Sequence, residues 1–211
     1  MGQPLHQFQC LDYSYLRPPE RFIKPNQKKN CFNNGERRIY YLMKKTDEEL
    51  AKIEEIHQEI KKKQRDQVFP NWWVKGDTLR YLCTNEGDVT KAAIQMKTHF
   101  DFIKSLKSFK LSDEAAQHII NGNVFIGGRD ISGYPTLILR LNNLKINKNC
   151  AESIKDAMIF CLLVLKKYMM VPHYSEKFNF FMDIADKGIL NISPTLLKSF
   201  SSLMADNHNG L

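Results

Sequence analysis

Hydrophobic and polar positions change period twice along the chain, and each change marks an architectural boundary. Residues 1–45 show no period, and Pro4, Pro18, Pro19 and Pro25, with Asn33-Asn34-Gly35, would interrupt a long helix or central strand. From Thr46 the period is helical. Thr46-Asp47-Glu48-Glu49 is a capping box, and Leu50, Ile53, Ile56 and Ile60 form one stripe. That helix should run to about Gln67, where Val68-Phe69-Pro70 stops it. Asp77 is placed to cap a second helix with Leu79 and Leu82, ending near Gly87. Asp88 caps a third with Val89, Ala92, Ala93, Met96, Phe100 and Ile103, and Ser112 opens a fourth that ends around Asn121-Gly122.

The period then shortens to that of strands. Val124-Phe125-Ile126, a long turn at Gly127–Gly133, and Pro135–Leu141 predict a β-hairpin. Asn149–Met170 is an amphipathic helix, and Phe178–Ile184 an apolar run of the kind a buried strand shows. Ser193-Pro194 is an N-cap and N1 pair for a last helix with Leu196, Leu197, Phe200, Leu203 and Met204. The order predicts an α/β fold: an N-terminal helical subdomain, then a mixed β-sheet lobe containing a βαβ unit. The expected division is an irregular arm over 1–45, helices over 46–121 and the lobe over 122–211.

Composition narrows the class. Of 211 residues 43% are hydrophobic and 26% charged, as in a globular chain. The apolar run Met158–Leu165 falls far short of the roughly 20 residues a membrane-spanning helix needs. The N-terminus lacks the apolar core of a secretory signal. Five cysteines, odd in number and unclustered, fit reduced cytosolic thiols better than a disulfide framework. Net charge is +8, and residues 17–45 hold nine basic side chains against Glu20 and Glu36, so this stretch alone carries +7. An acidic partner would meet that stretch and not the whole surface.

Catalytic constellations are missing. The histidines show no HxxxH, HxH or HExxH spacing, no cysteines form CxxC, and there is no GxSxG, Walker lysine or strand-linked GxGxxG. No cofactor or metal is expected. Gly127-Gly128-Arg129-Asp130 reads as a turn needing positive φ before it reads as a phosphate cradle. His99 and His118 read as partly buried helix histidines. Asp183 reads as a buried carboxylate held by hydrogen bonds. The residues do not describe an enzyme. The basic stretch admits a solvated linker, an anionic membrane surface, or single-stranded nucleic acid stacked on Phe22, Phe32, Tyr40 and Tyr41; nucleic acid is the weakest of these. Gly2 raises myristoylation, although position 6 is His where Ser or Thr is preferred.

Four motifs, in order, resemble one family. Trp73-Val-Lys-Gly-Asp-Thr-Leu79-Arg80-Tyr81-Leu82 with Gly87-Asp88-Val89-Thr-Lys-Ala92 is similar to the helical "LLRFLRARKFDVxKA" pattern of CRAL-TRIO lipid-binding proteins. Gly128-Arg-Asp130-Ile-Ser-Gly133-Tyr-Pro135-Thr-Leu-Ile-Leu resembles their "DKDGRPV" turn and strand. Phe181-Met-Asp183-Ile-Ala-Asp-Lys187-Gly188-Ile resembles "xxDLKGxS", and Ser202–Asn207 the helix ending in "QDNYPERLG". The resemblance spans residues 70–211. It implies a non-enzymatic lobe that holds one lipid, phosphatidylinositol or another, at the cytosolic membrane surface. The implied lining is Tyr134, Leu137, Leu139, Phe180 and Met182. Implied head-group or membrane contacts are Arg80, Arg37 and Arg38, with residues 17–45 docking to anionic lipid. Cys83-Thr84-Asn85-Glu86 replaces the basic "RARK" run, which weakens a phosphoinositide-reading role. Family members continue past the last helix, so the resemblance implies a fragment, or a missing half supplied by a partner chain or dimer mate. A protein-interaction module that keeps the fold without a working lipid pocket is the alternative.

Overall fold

The computed structural model describes residues 40, 44–63, 69, 73, 75–131, 133–141, 148–170, 176–184, 197, 198, 200 and 203. Two compact units result. The first is helical: α1 (Asp47–Lys63), α2 (Lys75–Thr84) and α3 (Val89–Ser105), followed by a 3₁₀ turn at Leu106–Ser108. The second holds α4 (Asp113–Ile120), β1 (Val124–Arg129), β2 (Pro135–Arg140), α5 (Lys148–Val164), a π-helical turn (Leu165–Met169) and β3 (Asn179–Asp183).

The helix boundaries follow from backbone N–H groups that need partners at each N-terminus. Thr46 N donates to Glu49 Oε2 at 2.9 Å, and Glu49 N donates to Thr46 Oγ1 at 3.2 Å, so the capping box is reciprocal. Lys91 N donates to Asp88 Oδ1 at 2.9 Å and Ala115 N to Ser112 Oγ at 3.2 Å, the two predicted caps of α3 and α4. Asp77 does not cap α2. The helix starts two residues earlier, and Asp77 lies in its first turn, where a carboxylate still favours the dipole. At the C-terminus of α2, Glu86 and Gly87 take positive φ, and Gly87 N closes onto Leu82 O at 2.9 Å.

The helical core gathers Ile53, Ile56 and Ile60 of α1, Leu79, Tyr81 and Leu82 of α2, and Ala92, Ala93, Met96 and Phe100 of α3 around the buried Tyr40. His99, expected at a partly buried position, is wholly buried beside the stacked rings of Trp73 and Tyr81.

In the second unit β1 pairs antiparallel with β2, and β2 pairs parallel with β3 through the α5 crossover, in the order β1-β2-β3. The predicted hairpin and βαβ unit are both present. β1 runs on to Arg129, so the turn is shorter than expected, and the register slips between Ile126 and Arg129. Gly128 takes φ 88° at that bulge, which only glycine adopts without strain. α4 packs on α5 and β1, so it belongs with the sheet, although its sequence position had grouped it with residues 46–121. β3 is half-buried where a fully buried strand was expected, and the Asp183 side chain is 40% exposed. Its carboxylate therefore avoids the desolvation that a buried position would impose. Leu197, Lys198, Phe200 and Leu203 are helical, with Phe200 and Leu203 buried; Ser193-Pro194 lies outside the described residues. Cys150 and Cys161 are unbridged, as expected of reduced thiols; Cys83 instead is in a disulfide whose other half lies outside the described residues.

Candidate functional site

Strand alternation gives the sheet two chemically different faces. Leu137 is registered with Ile126 and Phe180, and Leu139 with Val124 and Met182. Four of the five predicted lining residues therefore share one face in two adjacent rows. Leu137 and Leu139 are wholly buried there, whereas Phe180 and Met182 are half-buried. Arg129, registered with Pro135 on this same face, donates from Nη2 to Met169 O at 2.6 Å. The end of the α5 crossover thus lies over this face, and the two leucines form its closed floor.

Tyr134, the fifth residue, sits half-buried in the turn that leads into β2. Asp130 organises that turn: its N–H donates to Tyr134 O at 2.9 Å, and its Oδ1 accepts from Tyr134 N at 2.8 Å. Its Oδ2 accepts from Asn179 Nδ2 at 2.9 Å, which ties the turn to the start of β3. Arg129 Nη1 adds a bond to Gly133 O at 2.7 Å, and burial lowers the guanidinium pKa from its ordinary value. The glycine-rich stretch is thus a turn, with its polar atoms turned on itself. Arg129, Asp130 and Asn179 were not picked out as site residues, because their roles depend on partners 40 and 49 positions away.

The reverse face carries Phe125, Ile138 and Phe181 in one row, flanked by Arg140 and Asp183. Phe181 is 61% exposed. The Arg140 guanidinium lies over the Phe125 ring at 4.9 Å, with its Nε 3.7 Å from Asp183 Oδ2. Gly127 makes room for this row, since a Cβ there would stand 2.5 Å from Ile138 Cδ1.

Residues 120–210 match the family model of the CRAL/TRIO domain. That region is similar to a CRAL/TRIO domain. Its α/β fold and the sheet described above are those of the matched region, and CRAL/TRIO domains are known for lipid binding and transfer. A search of the curated proteins returned no match for the chain. No described helix is long and apolar enough to cross a membrane, and no described acidic, histidine or cysteine side chains cluster as a metal site.

The predicted head-group residues fall elsewhere. Arg80 is buried in the helical unit, where its Nη2 donates to Glu176 Oε2 at 2.8 Å and its guanidinium lies 5.1 Å from the Tyr40 ring centre. A guanidinium committed inside a core does not meet a lipid head group, so Arg80 is an internal anchor. Arg37 and Arg38 lie outside the described residues, as does the basic stretch apart from Tyr40, Lys44 and Lys45.

Proposed function

We propose that this CRAL/TRIO-like region binds one lipid through the face that carries Leu137, Leu139, Phe180 and Met182, and carries it between membranes without chemical change. The observation that supports this reading is the family match over residues 120–210, within which all four residues fall. Leu137 and Leu139 supply an apolar floor. Phe180, Met182 and Tyr134, each half-buried, supply the accessible rim along which an acyl chain would lie. Each methylene moved from water to such a surface is worth about 0.8 kcal/mol, so moderate chain lengths suffice for retention. The basic residues of 17–45, Arg37 and Arg38 among them, dock the protein on an anionic, cytosolic membrane surface at about 1 kcal/mol per charge near it. Phosphatidylinositol is one candidate lipid.

Native mass spectrometry followed by organic extraction tests the reading: it expects one lipid per chain. An empty protein that takes up no lipid from phosphatidylcholine or phosphatidylinositol vesicles overturns it. Vesicle co-sedimentation of Arg37→Glu/Arg38→Glu tests docking separately; binding to anionic vesicles unchanged at low salt removes the docking role. Deleting residues 1–45 would not serve, because Tyr40 belongs to the helical core.

A second reading, a protein-interaction module, draws on the reverse face. There an exposed Phe181 stands beside Ile138 and Phe125 with a charged pair at the edge, a pattern that fits a protein partner's hot spot.

A further inference from the structure

The turn that joins β1 to β2 holds its polar atoms inward and leaves one large apolar side chain outside. Gly133 N donates to Asp130 O at 3.0 Å and Asp130 N to Tyr134 O at 2.9 Å, while Asp130 Oδ1 accepts from Tyr134 N at 2.8 Å. Gly133 closes the turn at φ 81°, a conformation that favours glycine. Ile131 lies within this turn and is 92% exposed, more than Ile94, Ile120 or Phe181. Single exposed apolar residues are common and mean little by themselves. Ile131 differs in what the fold places beside it.

Arg129 spans two turns with one guanidinium: Nη1 donates to Gly133 O at 2.7 Å and Nη2 to Met169 O at 2.6 Å. The hairpin turn is thereby fastened to the π-helical turn Leu165–Met169, which belongs to the same unit. That second turn carries Lys166, Lys167 and Tyr168. Lys167 is exposed, with its Nζ 5.1 Å from the centre of the Tyr168 ring. Tyr134 and Tyr168 are both half-buried. The Asp130 carboxylate is occupied by Tyr134 N and Asn179 Nδ2. One end of the sheet unit thus gathers an apolar tip, two tyrosines and two lysines.

A bilayer interface suits this combination. Apolar side chains enter the acyl boundary, tyrosine rings settle at head-group level, and lysines reach anionic phosphates. A protein partner would call for a broader apolar patch with a desolvated centre, which one isoleucine on a narrow turn does not provide. The tip is also held before it meets a membrane, so insertion requires no ordering of the loop.

We propose that the β1–β2 turn is a membrane-insertion tip: Ile131 enters an anionic phospholipid bilayer while Lys167 and Tyr168 engage its head groups. Arg129 is the positioning residue that holds the two turns together. The proposal rests on the membrane-docking part of the reading above, and adds an apolar contact that the basic residues of 17–45 do not supply.

Co-sedimentation of the full chain with vesicles of phosphatidylcholine, alone or mixed with phosphatidylserine, tests the tip. Ile131→Ser should weaken binding to mixed vesicles about tenfold, the worth of one isoleucine side chain leaving water. That contact is apolar, so the loss should persist at high salt, where the effect of Arg37→Glu/Arg38→Glu fades. Ile131→Trp should bind more tightly, and the added indole emission should shift to the blue on vesicles. Lys167→Glu should weaken binding to mixed vesicles about fivefold and leave binding to pure phosphatidylcholine unchanged. Thermal unfolding of Ile131→Ser should match wild type, because no buried contact is lost. Equal binding by wild type and Ile131→Ser at both salt concentrations overturns the proposal, as does wild type that sediments with neither vesicle. Ile131→Ser that keeps vesicle binding but loses a protein partner overturns it too, and gives the tip to that partner. Uptake of fluorescent phosphatidylcholine on the same samples decides the lipid-carrier reading separately; a protein that takes up no lipid yet shows the Ile131 effect loses that reading and keeps the tip.

Discussion

The helical unit and the sheet unit bury their apolar residues by different means. In the helical unit, caps close the starts of α1 and α3, and three helices present isoleucine, leucine and alanine stripes to one interior. Thr78 Oγ1 and Arg80 Nη2 enter that core with hydrogen-bond partners. The sheet unit closes only one side. Its floor of Val124, Leu137, Leu139 and Leu141 is wholly buried, whereas the reverse face leaves Phe181 in solvent. The helical unit also exposes a large apolar side chain, Ile94 of α3, but Phe181 stands in a row with Phe125 and Ile138, and an apolar row left outside has something still to bind.

The largest effect should come from the two closed cores. Leu79→Ala in α2 and Leu137→Ala in β2 each remove a wholly buried side chain, and each should cost about 2–5 kcal/mol in denaturant unfolding. Cys161 offers a local readout for the sheet unit. It is buried on α5, and burial pushes its thiol up to about 12, so the native thiol is unreactive near neutral pH. Leu137→Ala should speed its alkylation severalfold, and Leu79→Ala should leave it nearly unchanged if the units unfold separately. Equal acceleration by both would mean that the units open together.

A smaller effect lies in the polar interior of the helical unit. Trp73 Nε1 can only donate, so Thr78 Oγ1 accepts from it at 3.0 Å, and the hydroxyl proton is left for His57 Nε2 at 2.9 Å. Thr78→Val keeps the shape and strands both partners, at about 1–3 kcal/mol. The sheet unit has no such three-membered contact to indole among the described residues; its nearest counterpart is His118, bonded to Ser153 Oγ at 2.9 Å and to Asn123 Nδ2 at 3.1 Å.

Both histidines have pKa values below the ordinary 6.5, chiefly because burial disfavours the charged ring. The unfolded chain then binds more protons than the folded one in the window below 6.5. Stability should be full above that value and fall as the pH drops through each folded pKa. Replacing His57 by Gln should flatten this dependence for the helical unit, and His118→Gln for the sheet unit, as read by thermal unfolding between pH 7 and 5. A slope unchanged in both variants would place the acid sensitivity elsewhere.

Legibility from sequence also divided between the units. Caps and stripes act over three or four residues, so Thr46, Asp88 and Ser112 announced helix starts that the structure contains. The hairpin and the parallel crossover followed from the change of period, and alternation put Leu137 with Leu139 on one face. Long-range pairing was not legible. Nothing near Glu176 in sequence marks it as the partner of Arg80, and so a motif arginine suited to a head group proved to be an internal anchor. The apolar run of β3 misled for a related reason. Burial on both faces depends on what covers each, and Phe181 shares the run's composition while pointing to the open side.

The smallest stability effect belongs to that open side, and it discriminates most sharply between the two faces. Phe180 and Phe181 are adjacent and identical in chemistry, and differ only in the face they occupy. Phe181→Ser should change unfolding free energy by no more than about 0.5 kcal/mol, because an exposed side chain gives up little on replacement. Phe180→Ser should cost more and should lower lipid uptake from vesicles, since it removes one of the three side chains of the accessible rim. If Phe181→Ser instead lowers lipid uptake and Phe180→Ser does not, the ligand lies on the reverse face, where Arg140 would meet its head group. If neither changes uptake but Phe181→Ser abolishes capture of a protein partner, the interaction reading replaces the lipid one. Two neighbouring phenylalanines, one per face, thus decide which side of the sheet carries the ligand.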